Sequence, residues 1–322
     1  MSFKVAFLGP TGTYSHQAVV DKFGSDAEYI PQSTISDVFD AVSDEIPYAV
    51  IPQENSTFGQ VIETYDNLRS PKAGKSVFIR GETTSTINHC LLVRKGVKAE
   101  DIRVIISHEQ AIGQCRKFIS EHFPNAVTRK FASTAGAAKF LLDDEDSPEG
   151  ASAAVCSSIC ATLFDGLEVL HKNIQDNESN FTRFLVLSNT LDVNLPTENS
   201  PFHLRRALVR FGIAPSDPES SQNGPSPIAS RTFHNRPLNL IVSTLFTTFG
   251  VPVTRVDRRP SLNSHPFEDV YFVELEELGS TSNDQGGDNE SKAGDVEWLK
   301  KIEVGVDRIQ QVGLEAAIIG LW

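Results

Sequence analysis

The feature that most constrains this chain is an alternation. Over roughly the first 190 residues, short apolar runs take turns with stretches patterned for helices, the signature of an α/β sheet. Lys4–Leu8, Tyr48–Ile51, Asn88–Val93, Arg103–Ile106, Val127–Phe131, Ala153–Cys156 and Arg183–Leu187 read as strands. His108–His122 and the Ala-rich Thr134–Leu142 read as helices between them, and Asp143–Gly150 interrupts the pattern with acids, Pro and Gly.

After Leu187 the composition changes. Asn189–Ser200 reads as a linker. From there the expected order is strand (Leu204–Phe211), helix (Pro237–Phe249), strand (Val251–Arg258), strand (Asp269–Glu276), helix (Val296–Val312) and strand (Leu314–Leu321). This βαββαβ order predicts a ferredoxin-like module. Two insertions, Pro215–Ser230 and Gly279–Gly294, have the composition of loops.

Composition narrows the function classes. The net charge of −13 is concentrated: Glu276–Glu297 holds seven acids and one base, and Asp143–Glu149 holds five acids and no base. The rest is close to neutral, so there is no basic stripe for nucleic acid and no polybasic membrane patch. No apolar run reaches the length of a membrane span. The start, Met1-Ser-Phe-Lys-Val5, reads as a strand rather than a signal peptide. Four Cys, none in a C-x-x-C pair, suit a reducing compartment. Cys156 and Cys160 read as small packing residues.

Four strand ends run into small polar clusters that open helices: Gly9–His16, Pro52–Gly59, Ser107–Ala111 and Ser133–Ala137. Ser107 and Gln110 have the spacing of a capping box. Capping accounts for any one cluster taken alone. Four of them at the strand ends of an α/β sheet point to a cleft in which helix N-termini hold a small dianion. No G-x-G-x-x-G, Walker loop or nucleophile elbow occurs, and His16, His89 and His108 lack metal-ligand spacing. No cofactor and no metal are expected. Arg183 stands beside an apolar run, where it must pair with an acid or bind an anionic ligand.

These motifs fall in a familiar order. Gly9-Pro-x-Gly-Thr-Tyr-Ser-His16, Ile51-Pro-Gln-Glu-Asn-Ser56 with Gly59, Ser107-His-x-Gln110 with Gln114-Cys115, Ser133-Thr-Ala135 with Ala137-Ala138, and Asn180-Phe-Thr-Arg-Phe184 together resemble the prephenate dehydratases that carry a C-terminal ACT regulatory domain. The resemblance covers essentially the whole first domain. It implies a catalytic domain over 1–190 with a two-lobed, periplasmic-binding-protein-like fold, and an ACT domain over 203–322. One lobe would comprise about 1–80 plus 176–190, and the other about 81–175. The implied reaction turns prephenate into phenylpyruvate with loss of CO2 and water, in phenylalanine biosynthesis.

The same resemblance implies site residues. Thr182 would hydrogen-bond the departing hydroxyl, with Asn55, Ser107 and Gln114 supplying further hydrogen bonds. Ser107 and Gln114 stand seven apart, two helical turns, so on a helix they would share a face. Thr13, Ser15, Ser56, Thr134 and Arg183 would contact substrate, with Glu54 and His108 as secondary proton donors. Leu238, Asn239, Arg258 and Pro260 would contact a phenylalanine effector, and the paired ACT domains imply a homodimer or homotetramer in the cytoplasm. Two departures stand out. Glu109 replaces the usual Pro. Arg236-Pro-Leu238 and Asp257-Arg-Arg-Pro260 stand where the family has Gly-Ala-Leu and Glu-Ser-Arg-Pro. Arogenate is the alternative substrate. A non-catalytic carboxylate sensor is the alternative from another class.

Overall fold

A computed structural model describes residues 3–143, 151–177, 179–191, 204–213, 251–262, 268–278, 288–311 and 314–322. The chain divides into two compact units. One is Met1–Thr64 with Glu82–Val186; the other is Tyr65–Gly81 with Leu187–Trp322. Residues 65–81 therefore group with the C-terminal chain, although no change of composition marks that excursion.

In the first unit β1 (Phe3–Leu8), α1 (Tyr14–Phe23), β2 (Ala27–Gln32), α2 (Ile35–Ala41) and β3 (Tyr48–Asn55) wind a parallel sheet, with β1 between β2 and β3. β4 (Gly59–Gln60) folds back on β3 and pairs Gly59 with Asn55. α3 (Ile62–Leu68) and β5 (Phe78–Thr86) follow. A second sheet is built by β6 (Cys90–Arg94), β7 (Ile102–Ser107), α4 (Glu109–Gln114), α5 (Arg116–His122), β8 (Val127–Lys130), α6 (Thr134–Asp143), β9 (Ala151–Cys156), α7 (Ile159–Leu163) and β10 (Leu167–His171). Its strand order is β10-β6-β9-β7-β8. The chain then returns to the first sheet as β11 (Phe181–Ser188), beside β3. This is the expected two-lobed arrangement, except that residues 65–80, expected in the first lobe, group with the C-terminal chain.

The second sheet shows why its strands read as near-continuous apolar runs. Cys90, Leu92, Ala154 and Cys156 face a core with Ala137, Ala138 and Leu141 of α6. Their neighbours Leu91, Val93, Ala153 and Val155 face the opposite core with Ala111 and Ile119. Successive side chains on a strand point to opposite faces, and here both faces are covered. The two segments that cross between the sheets bond to each other. Ile87 N–H donates to Asn180 O at 2.8 Å, and Ile174 N–H to His89 O at 2.9 Å.

Several expectations are corrected. His108–His122 is not one helix but two, α4 and α5, separated at Cys115, whose φ of −114° and ψ of 18° leave the helical region. The α4 cap is His108, whose Nδ1 accepts from Gln110 N–H at 3.3 Å, not Ser107. Ser107 ends β7, so it shares no helix face with Gln114. The edge strands β2 and β10 were not anticipated: β2 (Ala-Glu-Tyr-Ile-Pro-Gln) carries a Glu and a Pro, which sheet edges tolerate. The helical segment expected at Val296–Val312 begins earlier, at Asp288, inside the stretch read as a loop. Asp165 accepts from Lys95 Nζ at 2.9 Å and from Gly166 N–H.

In the second unit β12 (Leu204–Ile213), β13 (Val253–Pro260), β14 (Asp269–Leu278) and β15 (Leu314–Leu321) form an antiparallel sheet in the order β13-β14-β12-β15. That is the ferredoxin-like order. α8 (Asp288–Gln311) covers it through Trp298, Ile302 and Ile309, which pack on Val209, Phe211, Val273 and Leu275. The helix expected at Pro237–Phe249 and the insertion Pro215–Ser230 lie outside the described residues. Residues 65–81 are held to this sheet by polar contacts. Tyr65 Oη donates to Asp257 Oδ2 at 2.7 Å, and Arg259 pairs with Asp66 at 2.8 and 3.1 Å. Arg69 Nη1 donates to Pro260 O at 2.6 Å, and Arg210 Nη1 to Leu68 O and Ser70 O at 3.1 and 2.8 Å. Gly320 of β15 is needed where it meets Ile79, since an added Cβ would lie 2.4 Å from the Ile79 Cβ.

Candidate active site

The site is built on β3 and β11, adjacent strands of the first sheet, together with the C-terminal end of α4. Asn55 ends β3, and its turn fixes it. Its Oδ1 accepts from the N–H groups of Thr57 and Phe58 at 2.9 and 3.1 Å. That leaves Nδ2 facing β11, where it reaches Asn180 Oδ1 at 2.8 Å, Thr182 Oγ1 at 3.0 Å and Phe181 O at 3.1 Å. Asn180 Nδ2 in turn donates to Gln114 Oε1 at 3.0 Å. Thr182, Asn55 and Gln114 are therefore brought together through Asn180.

The network continues beyond these residues. His89 Nε2 contacts Gln114 Oε1. Its Nδ1 lies 2.7 Å from Tyr14 Oη, and the two rings meet edge-on with centroids 5.4 Å apart. Burial lowers the His89 pKa, partly offset by the Gln114 bond, and burial pushes the Tyr14 phenol up. The whole set is uncharged near neutrality, which suits buried groups that bond to one another. Asn180, His89 and Tyr14 were not singled out from the sequence for any role. Asn180 lay within a recognised motif. His89 carried a further signal: like Arg183, it is a polar residue abutting an apolar run.

Other candidates sit differently. Ser107 is fully buried, and its hydroxyl donates to Val155 O at 2.5 Å, apart from the network. Thr13 caps α1: its Oγ1 accepts from His16 N–H at 3.3 Å and donates to Leu8 O at 3.0 Å. Ser15 is buried in the first turn of α1. Ser56 ties β3 to β11, accepting from Phe181 N–H at 2.9 Å and donating to Ser179 O at 3.1 Å. Thr134 is half-buried at the start of α6, which Ser133 caps through Gly136 N–H at 2.9 Å.

Arg183 lies 3.7 Å from both Glu54 and Glu82, the structural pairing that its sequence context allowed. His108 is committed to its cap. Glu109, in place of the usual Pro, opens α4 and pairs with Lys130 at 2.5 Å. Arg258 pairs with Asp269 at 3.2 Å, and Pro260 O accepts from Arg69. Leu238 and Asn239 lie outside the described residues. All four Cys are buried free thiols. Among the described residues no helix is long and apolar enough to cross a membrane, and no His, Cys, Asp and Glu side chains cluster to hold a metal ion.

Comparison with known proteins places this chain in a family. A family model described as prephenate dehydratase matches residues 5–191. The bifunctional chorismate mutase/prephenate dehydratase of Pseudomonas aeruginosa is 30% identical over 282 residues, covering 84% of this chain and 65% of that protein. This chain thus spans just under two thirds of that relative's length. The prephenate dehydratase of Bacillus subtilis is 34% identical over 221 residues, 67% of this chain and 74% of that one. Among solved structures, a prephenate dehydratase from Arthrobacter aurescens in complex with L-Phe superposes with a TM-score of 0.72 at 26% identity, covering 99% of this chain and 89% of that chain. With more than half of its length matched by the family model, and Asn55, Gln114 and Thr182 drawn into one network, the chain belongs to the prephenate dehydratase family.

Proposed function

We propose that this chain converts prephenate to phenylpyruvate, with loss of CO2 and water, as a step of phenylalanine biosynthesis. In the reaction the bond from the ring to its carboxylate breaks and its electron pair moves through the diene. The C4–O bond then breaks, and one proton is taken up as hydroxide leaves as water. The ring becomes aromatic, so no electron sink is needed. What the protein must do is orient the dianion and stabilise the departing oxygen.

The observation that carries this reading is the direction of the bond at Thr182. Its Oγ1 accepts from Asn55 Nδ2, and no described residue takes its own proton. A hydroxyl that accepts a bond on one side is a better donor on the other. Thr182 therefore presents an O–H to the leaving oxygen. Thr is too weak an acid to surrender its proton outright, so its contribution is a hydrogen bond that strengthens as charge develops. Gln114 would orient the substrate, whereas Thr13, Ser56 and Ser107 hold the scaffold. Ser15, Thr134 and Arg183 remain candidate substrate contacts.

The substrate side chain takes no part in aromatisation, so arogenate is compatible with the same network. Comparing kcat/KM for the two substrates separates these readings. The C-terminal unit is proposed as an ACT regulatory domain, supported by its ferredoxin-like strand order. A phenylalanine effector is supported by the L-Phe complex of the Arthrobacter relative. A homodimer or homotetramer is proposed on the same reading, and the buried free thiols suit the cytoplasm.

The test is phenylpyruvate formation from prephenate, read as enol absorbance in alkali, with and without phenylalanine. Turnover suppressed by phenylalanine supports both the lyase and its regulation. Turnover indifferent to phenylalanine keeps the lyase and removes the effector. Saturable prephenate binding without turnover by folded protein would sink the lyase reading in favour of a sensor.

A further inference from the structure

We propose that His89, backed by Tyr14, is a positioning residue that sets which end of the Gln114 amide faces the substrate. The inference rests on the reading of Gln114 as a substrate contact. The N–H groups of Thr57 and Phe58 can only donate, so the atom they reach is the Asn55 oxygen. Asn55 Nδ2 is then the donor to Asn180 Oδ1, and Asn180 Nδ2 the donor to Gln114 Oε1. Each amide is oriented by the one before it, starting from backbone N–H groups that cannot be reversed.

His89 completes the series. Gln114 Oε1 has no proton to give, so His89 Nε2 must carry one. In the neutral ring Nδ1 is then an acceptor, and Tyr14 Oη at 2.7 Å donates to it in preference to the Asn88 carbonyl oxygen, which lies farther from the same hydroxyl at 3.1 Å. Burial acts in the same direction, disfavouring the imidazolium at His89 and the phenolate at Tyr14. The ring itself is placed by the two chain crossings: His89 N–H donates to Gln175 Oε1 at 3.0 Å, and His89 O accepts from Ile174 N–H at 2.9 Å.

Two donors thus converge on Gln114 Oε1. Reversing the amide would set its NH2 against the NH2 of Asn180 and the N–H of His89, losing two hydrogen bonds at once. With His89 in place, Gln114 offers N–H donors to a carboxylate-bearing substrate. Without it, only Asn180 opposes the reversed amide, which would present a carbonyl oxygen to an anion.

Two substitutions separate this role from simple packing. In His89→Gln the side-chain amide reaches the position of Nε2 and can donate to Gln114. In His89→Asn it reaches only the position of Nδ1, so it can keep Tyr14 but not Gln114. The expected result is a kcat for His89→Asn lower than that of His89→Gln by roughly tenfold, the factor one net hydrogen bond supplies, at similar melting temperatures. Equal kcat values for the two variants, or losses that track melting temperature, would overturn the proposal.

A second readout needs no turnover. The 15N spectrum of the His89 imidazole in the full-length protein should show a protonated Nε2 and a bare Nδ1. The opposite tautomer would overturn the positioning role even in an active enzyme. If the folded wild-type chain fails to act on prephenate, the lyase reading falls and this spectrum alone judges the inference.

Discussion

Two polar networks in this protein are built from opposite materials. The one around Thr182 consists of amides, an imidazole and two hydroxyls, all uncharged near neutrality. The one that ties residues 65–81 to β13 consists of ion pairs and charge-assisted bonds: Asp66 with Arg259, Tyr65 with Asp257, and Arg255 with Asp257 at 2.5 Å. On the proposed function, neutral groups suit the place beside the departing oxygen, where the need is a donor that strengthens its bond as charge develops, while the charged Arg183 next to it is itself balanced by Glu54 and Glu82. Each amide also has a donor end and an acceptor end, so the network carries direction. In the charged pairs the donor and acceptor are fixed by residue type and cannot be reversed by neighbours, and such pairs hold two segments firmly when partly buried. The first network is suited to orienting bonds and the second to fastening chain.

Thr182→Ala should lower kcat by roughly 100-fold or more, the usual scale for losing a transition-state hydrogen bond, with the circular dichroism spectrum unchanged. A kcat near that of the wild type would remove Thr182 from the chemistry. Asn55→Asp tests direction alone. A carboxylate at that position accepts rather than donates, so it would capture the Thr182 proton. A kcat loss of about the same order is expected, and an Asn55→Asp variant within a few-fold of wild type would show that the bond direction is irrelevant.

In the fastening network the readout changes from rate to stability. Tyr65→Phe keeps the edge-on contact with Phe272, whose centroid lies 5.4 Å away, and removes the bond to Asp257. A melting temperature lower by about 2–4 °C is expected for a loss near 1 kcal/mol, with kcat intact. A large kcat loss at unchanged stability would merge the two networks into one.

Acid should act on the neutral network. The folded-state pKa of His89 is depressed by burial, as is that of His16. Between about pH 6.5 and the lower folded values the unfolded chain binds more protons, so this stability is present above about pH 6.5 and lost as pH falls. Melting temperatures at pH 7.5 and 5.5 should therefore differ less in His89→Gln than in the wild type. The smallest effect belongs to Glu109 and Lys130, which pair in the open. Glu109→Gln should leave the melting temperature unchanged within error, since exposed pairs are screened.

The sequence revealed much of the scaffold and only part of the site. Strands such as Ala153–Cys156 were legible because both faces are buried, which leaves an unbroken apolar run. β2 was not, because an edge strand tolerates Glu28 and Pro31. The break at Cys115 was hidden because apolar residues continue through it at helical spacing. Ser107 was misplaced for a related reason. A seven-residue interval means a shared face only if one helix spans it, and here a strand ends at Ser107 before a helix begins. The grouping of residues 65–81 with the C-terminal chain was also unreadable, because it depends on partners such as Asp257 and Arg259 almost 200 residues away.

The sequence alone determined the order of the elements, the two compositions of the chain and the motif series that places Asn55, Gln114 and Thr182 in one family. Local patterns suffice for these, since periodicity and turn chemistry act over a few residues. Only the tertiary structure decided which way each hydrogen bond runs. That direction is set where Asn55, Gln114 and Asn180 meet across sequence separations of 66 and 125 residues. A side-chain amide has no preferred orientation until its neighbours in space supply the donors and acceptors.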